Sequence, residues 1–453
     1  MLGRNELRRR LTSFDATTFV VSDMVGTGIY FTTGWIALSI VSGPGILAAW
    51  LAGGILALLG ALCYAELSTM FPKAGGEYNY LREAYSPIFG FLSGWTSMFI
   101  GFSAPIAIGA LGFTAFLSFF WPALSTENVI FIRLGITLTN ATLFALATIA
   151  TLILFHFIGR GTDRRMQIFL TIIKIAAIAM LIIAAILSGK GNIGNITSVA
   201  SKGTFTLTAF IAAIVPITFS YSGWNASTYI AGEIRNPKRN LPLSLLVGTL
   251  TVTFIYLVIN VVYLYALPLD EISGVGPIAE KALIALLGVR GGAFISVVIA
   301  LSILGAMNSM LFIGPRVLYQ MSIDGVFFKF ASRVDPKTSV PSGSILSIGC
   351  IAMVTVLLGD LRSLLEFAGF VLIIFNFLAV LGVIVLRYKM PSINRPYRAW
   401  GYPITPAVFC LFSLYLMYAS FVFNLYSSVA GVIVVALGVP FYFAFKHHRF
   451  SSV

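Results

Sequence analysis

The chain has 453 residues, of which 58% are hydrophobic and 10% charged, with a mean hydropathy of +0.95. That balance excludes a soluble globular domain and points to a polytopic membrane protein. A formal net charge of +13 would suit a polyanionic partner, but the Lys and Arg gather in alternate loops, which is the pattern of membrane topology and not of nucleic-acid binding.

Apolar runs of about 20 residues, enough to cross a hydrocarbon core of about 30 Å, recur at residues 14–38, 44–70, 87–121, 134–158, 166–188, 205–231, 242–267, 291–320, 341–359, 362–386, 403–424 and 428–446. These twelve spans leave no room for a sizeable soluble domain, so residues 1–453 read as one all-α integral membrane domain. The first span is too long for a signal peptide and lacks a small-residue cleavage site, so it is kept as a mature helix. With both termini placed in the cytoplasm, the basic clusters at Arg4 to Arg10, Arg160 to Arg165, Arg235 to Arg239 and Arg387 to Arg398 all fall inside. They are expected to anchor the helices beside anionic membrane lipids. Cys63, Cys350 and Cys410 lie in or beside apolar spans and imply no disulfide framework.

Helix-breaking polar sequence interrupts two spans. The first carries Gly26-Thr27-Gly28 and the sixth carries Ser222-Gly223-Trp224-Asn225. Breaks at these two places suggest two five-helix halves of opposite orientation, residues 14–188 and 205–386, followed by two additional helices at 403–446. This reading rests on the break positions and hydropathy, since the halves share no residue-level repeat.

At the first break the glycines permit unwinding, so the amides of Gly26, Thr27 and Gly28 can point into a cavity and attract a carboxylate. The same Gly-x-Gly also serves close helix packing. In the sixth span Pro216 loosens the helix, and the run from Phe219 to Asn225 frees carbonyls that can accept from an ammonium group. Donors on one side and acceptors on the other describe a zwitterion site, for which an α-amino acid is the simplest ligand.

Four blocks, read together, carry a resemblance: Val25-Gly26-Thr27-Gly28-Ile29-Tyr30, Gly60 to Leu67, Lys73-Ala74-Gly75-Gly76-Glu77-Tyr78, and Gly223-Trp224-Asn225 followed by Asn236 to Pro242. The chain resembles the amino acid, polyamine and organocation transporter superfamily, with the nearest likeness to L-type and bacterial amino-acid permeases. The resemblance implies a five-plus-five inverted repeat with discontinuous helices one and six and alternating access; compactness and short tails look bacterial, which points to a cytoplasmic membrane. It places carboxylate binding on Gly26, Thr27 and Gly28, ammonium-binding carbonyls on Met24, Phe219 and Ser222, an outer gate on Phe219 and a substrate-facing polar group on Asn225. Ser222 departs from the glycine common there, which puts the unwound geometry at that point in question.

Two intramembrane charges stand out, because such charges are costly. Asp23 can pair with a substrate ammonium or carry a proton, or be a buried carboxyl satisfied by its surroundings. Lys174 lies about 12 Å into the fifth span at helical rise; the family likeness gives it the place of a sodium ion and implies sodium independence, while snorkelling is the plain alternative. Glu66, Glu233 and Arg316 fall near inner span ends and are expected to join anchoring or gating pairs.

No cofactor, metal cluster or nucleophile–base pair is legible, which argues against an enzyme, and no charged ring argues for a channel. The expected function is secondary transport of an α-amino acid, neutral by preference, by exchange or with a proton. The alternative is a cationic amino acid or polyamine. The loops near 122–133 and 189–204 contain no cysteine, so no covalent heavy subunit is expected.

Overall fold

Capping residues and prolines set the helix boundaries. The computed structural model describes residues 7, 9–125, 128–133, 136–158, 163–200, 206–335, 340–359 and 361–450. Its helices are α1 (Ser13–Met24), α2 (Gly28–Ile36), α3 (Gly43–Met70), α4 (Glu77–Ala84), α5 (Pro87–Thr96), α6 (Ser103–Leu117), α7 (Asn140–Ile158), α8 (Asp163–Leu187), α9 (Leu207–Ser220), α10 (Ala226–Tyr229), α11 (Pro237–Ala266), α12 (Leu269–Ile272), α13 (Ile278–Ile313), α14 (Pro315–Ile323), α15 (Ser342–Leu358), α16 (Leu361–Lys389), α17 (Ile404–Phe423) and α18 (Leu425–Phe450).

Thr12 opens α1 with a capping box. Its Oγ1 accepts from Asp15 N at 3.3 Å, while Asp15 Oδ2 accepts from Thr12 N at 2.7 Å. Ser42 and Thr206 cap α3 and α9 by accepting from Gly45 N and Ala209 N at 3.1 and 3.2 Å. Proline supplies the first position of α5, α11 and α14, where its missing N–H costs nothing. A π turn at Ser97–Phe102 joins α5 to α6, so residues 87–117 run as one segment.

Among the described residues, nine helical segments are long and apolar enough to cross a membrane. The first and sixth expected spans are instead the broken pairs α1–α2 and α9–α10, and the ninth is α15, with 17 residues. One boundary differs from expectation. Residues Val129–Arg133 and Ile136–Thr139 form an antiparallel hairpin, and α7 starts only at Asn140. Runs rich in β-branched and aromatic residues suit a pleated ladder, and Thr139 Oγ1 then accepts from Thr142 N at 3.0 Å at the helix entrance.

The packing puts the breaks at the centre. Helix α11 runs along α3, α13 along α6, and α1 lies against α8, α11 and α13. Buried acids and bases tie helix ends together around this centre. Arg316 Nε donates to Glu233 Oε1 at 3.0 Å with both side chains at 2% exposure or less. Glu66 accepts from Arg387 at 2.6 and 3.0 Å and from the Ala399 amide at 2.7 Å. Arg164 reaches Asp15 at 2.9 Å, and Arg82 pairs with Asp324. Glu66, Glu233 and Arg316 thus join the pairs expected of them. Replacing Glu233 by Ala would leave Arg316 buried without its counter-charge, at a cost of about 3–5 kcal/mol. A markedly lower unfolding midpoint of detergent-purified protein checks this, and pairing Glu233→Met with Arg316→Met should recover most of the loss.

Candidate substrate site between the broken helices

Helix α1 ends because its chain turns sharply. Val25 sits at φ −79°, ψ 79°, and Gly26 N donates back to Met24 O at 2.9 Å, an inverse γ-turn. Helix α2 restarts at Gly28, and its first-turn amides have no carbonyl of a preceding turn to bind. The Gly26 amide is already engaged by Met24 O, and of the expected donors on the cavity wall those of Thr27 and Gly28 are left.

Helix α9 ends at Ser220. Ser222 N donates to Phe219 O at 2.8 Å, Gly223 takes φ +101°, and Ala226 N donates to Gly223 O as α10 begins. The left-handed position falls on Gly223, so Ser222 stands in the turn without needing a glycine's freedom. The two breaks are in direct contact. A Cβ on Gly28 would lie 2.7 Å from Ser220 Cα, and one on Gly223 would lie 2.8 Å from Asp23 Oδ2 and 2.9 Å from Met24 N.

Unbroken helices hold the pair. Tyr256 of α11 places its Oη 2.5 Å from Met24 O and 2.9 Å from Ser220 O, bridging the last carbonyls of α1 and α9. Lys174 of α8 is 2% exposed, and its Nζ donates to Val25 O at 2.6 Å and Ser22 O at 3.1 Å. Thr32 and Ser220 share a hydrogen bond of 2.9 Å across the gap. The contacts to Val25 O, Ser22 O and Ser220 O answer carbonyls freed by the breaks at membrane depth, while Met24 O also accepts from Gly26 N.

Asp23, Met24, Gly26, Thr27, Gly28, Phe219 and Ser222 line one cavity, closed on its far side by Pro105 and Gly109 of α6 and by Ala306 and Met310 of α13. Asp23 is 6% exposed, and its Oδ1 makes no close hydrogen bond, the Ser309 hydroxyl being the side chain that approaches the carboxyl group. Phe219 is buried beside Gly369 of α16. Asn225 does not line that cavity but an adjoining one that shares Asp23 and Ser222. Its Nδ2 donates to Glu77 Oε1 at 2.8 Å, so the amide is held by protein. Among the described residues, no three His, Cys, Asp or Glu are grouped to hold a metal.

Sequence reasoning missed Tyr256 and Glu77. A tyrosine within a 30-residue apolar helix gives no local signal. Glu77 had one, as an acid directly after Gly75-Gly76 in a block already singled out.

The comparisons with known proteins fit this geometry. A family model described as amino acid permease matches residues 11–443. The chain belongs to the amino acid permease family. It is 30% identical over 452 residues to the serine/threonine exchanger SteT of Bacillus subtilis (strain 168), with 99% of each chain covered. It is 28% identical over 453 residues to b(0,+)-type amino acid transporter 1 of Homo sapiens, covering 98% of this chain and 89% of the relative. It is also 28% identical over 442 residues to the cystine/glutamate transporter of Homo sapiens, covering 97% and 86%. This amino acid permease is accordingly a multi-pass membrane transporter and not an enzyme.

The permease depends on Tyr256 to join its two breaks. Tyr256→Phe removes the hydroxyl that Met24 O and Ser220 O share, a loss of about 1–3 kcal/mol. A lowered unfolding midpoint in detergent is expected, and an unchanged one would show that the carbonyls find another donor.

Proposed function

We propose that this permease is a sodium-independent exchanger or proton-coupled carrier of small neutral α-amino acids, working by alternating access. The observation that carries the reading is the contact of two broken helices around one cavity. Amides of Thr27 and Gly28 are available to a carboxylate, and the carbonyl and carboxyl groups of Phe219, Ser222 and Asp23 to an ammonium. A zwitterion taken out of water needs both sets at once. Met24 O contributes less than its position in the motif implies, because Tyr256 already reaches it.

The twelve spans are read as two inverted five-helix halves with two further helices, both termini in the cytoplasm, in the cell membrane. Phe219 is the residue that would close over substrate from the outer side, as the family likeness implies. Lys174 supports independence from sodium, because its ammonium already occupies the carbonyls of Ser22 and Val25. The exchange activity in the name of the Bacillus relative, whose whole length this chain matches, favours small hydroxyl-bearing substrates. A disulfide-linked partner is not part of this reading: Cys63 and Cys410 are buried, and the exposed Cys350 lies mid-way along the apolar helix α15, not in a loop.

A second reading is transport of a cationic amino acid. Asp23 and Glu77 are the charged groups lining the two adjoining cavities, and both are acids, as a cationic side chain would require.

Counterflow of labelled serine into proteoliposomes tests both. Saturable uptake that needs an internal amino acid and changes less than about twofold when sodium is replaced by choline is expected. Arginine outcompeting serine would favour the second reading. Lys174→Ala should cut uptake at least about tenfold, since it removes charge-assisted hydrogen bonds from two buried carbonyls; sodium-dependent uptake by the wild type would refute the role of Lys174.

A further inference from the structure

The cavity that adjoins the candidate site is lined at one end by Asp23 and Ser222 and at the other by Glu77, at the start of α4. Glu77 is 4% exposed and is the focus of three neutral donors. Its Oε1 accepts from Tyr64 Oη at 2.7 Å, Asn225 Nδ2 at 2.8 Å and Tyr229 Oη at 3.1 Å. These come from α3, from the linker after α9, and from α10. The carboxyl group thus ties the second broken helix to the start of α4.

Two further features point to a ligand. The hydroxyls of Ser93 and Thr96, at 1% and 2% exposure, line the same cavity and are buried without a hydrogen-bond partner, as is Asp23 Oδ1. The charged groups on its lining are Asp23 and Glu77, with no base among them. Acceptors and hydroxyls left unsatisfied at membrane depth are costly unless something that donates comes and goes.

We propose that this chamber is a transit site for the substrate's ammonium group, with Glu77 as its carboxyl group, between the candidate site and the face that carries α4. The inference rests on the transport reading. An ammonium leaving Asp23 enters a chamber whose far end offers a second carboxyl group, with Ser93 and Thr96 as hydroxyl partners along the wall. A charged donor competes well against neutral ones for the same oxygen. Its arrival at Glu77 therefore competes with Asn225 and Tyr229 for Oε1 and weakens the side-chain hold on α10, leaving the 2.9 Å bond from Gly75 N to Tyr229 O as the remaining tie, and so couples the substrate's advance to opening on that face. A substrate still at Asp23 leaves the three neutral donors in place and that path shut.

Glu77→Gln separates charge from structure, because the amide oxygen still accepts from Tyr64, Asn225 and Tyr229. KM for serine exchange is measured separately on the two faces of proteoliposomes, the α4 face being marked by an impermeant thiol reagent on Lys73→Cys. The expected result is a KM raised about tenfold or more on the α4 face, with the KM on the opposite face changed less than about twofold and the unfolding midpoint unchanged. Thr96→Val should act in the same one-sided direction, and Glu77→Asp should restore part of the affinity. Equal changes on both faces, or none on either, overturn the proposal. If the wild type moves no labelled amino acid at all, the transport reading fails first, and the two failures are distinguishable.

Discussion

Carbonyl groups released where two helices stop inside the membrane are the constraint on which the rest of this permease depends. In hydrocarbon each such group needs a partner within the protein or the ligand. Met24 O and Ser220 O share Tyr256, while Ser22 O and Val25 O share Lys174. Both partners sit on helices that do not break, α11 and α8. The arrangement makes a frame of unbroken helices that positions two interrupted ones. It also explains why the ends of α1 and α9 can touch at Gly28 and Gly223 without collapsing onto one another: their polar groups are already directed outward to α8 and α11.

The same division shows what could be read from sequence. A glycine pair in an apolar run, or a lysine a dozen ångströms deep, violates the local rule for a membrane helix, so the breaks at Gly26 to Gly28 and at Gly223 and the buried charge of Lys174 were legible as departures from a plain span. Their partners were not. Tyr256 obeys every local rule of the apolar helix that carries it, and only the folded chain reveals that its hydroxyl meets two carbonyls more than 30 positions away in sequence. Glu77 was hidden in the opposite way, since an acid in a polar loop is ordinary until the loop folds inward and buries it. Hydropathy also merged the strand Ile136–Thr139 with the helix that follows, because apolar residues of a strand and of a span look alike over a few positions.

The ion pairs serve a different purpose from the site charges. Glu233 with Arg316, Glu66 with Arg387, and Asp15 with Arg164 join helix ends that belong to different parts of the chain. A buried pair is weak as a source of stability but severe when broken, so such pairs specify which ends meet more than how tightly. Their places at helix ends leave the interior around the two breaks free of fixed pairs of this kind.

Lys174 and Asp23 make the contrast clear. They are close enough to interact through charge, yet among the described residues no ion pair joins them, and the ammonium is directed at the carbonyls of Ser22 and Val25. Had Lys174 served to neutralise Asp23, the carboxyl would be a settled structural group and would have little to offer a ligand. Instead the lysine satisfies the backbone, and Asp23 Oδ1 is left on the cavity wall without a close hydrogen bond. A cation fixed on the backbone of the broken helix and an acid on the cavity wall are thus separate parts. Lys174 holds the break whether or not Asp23 has a partner, which is what the proposed substrate role of Asp23 requires.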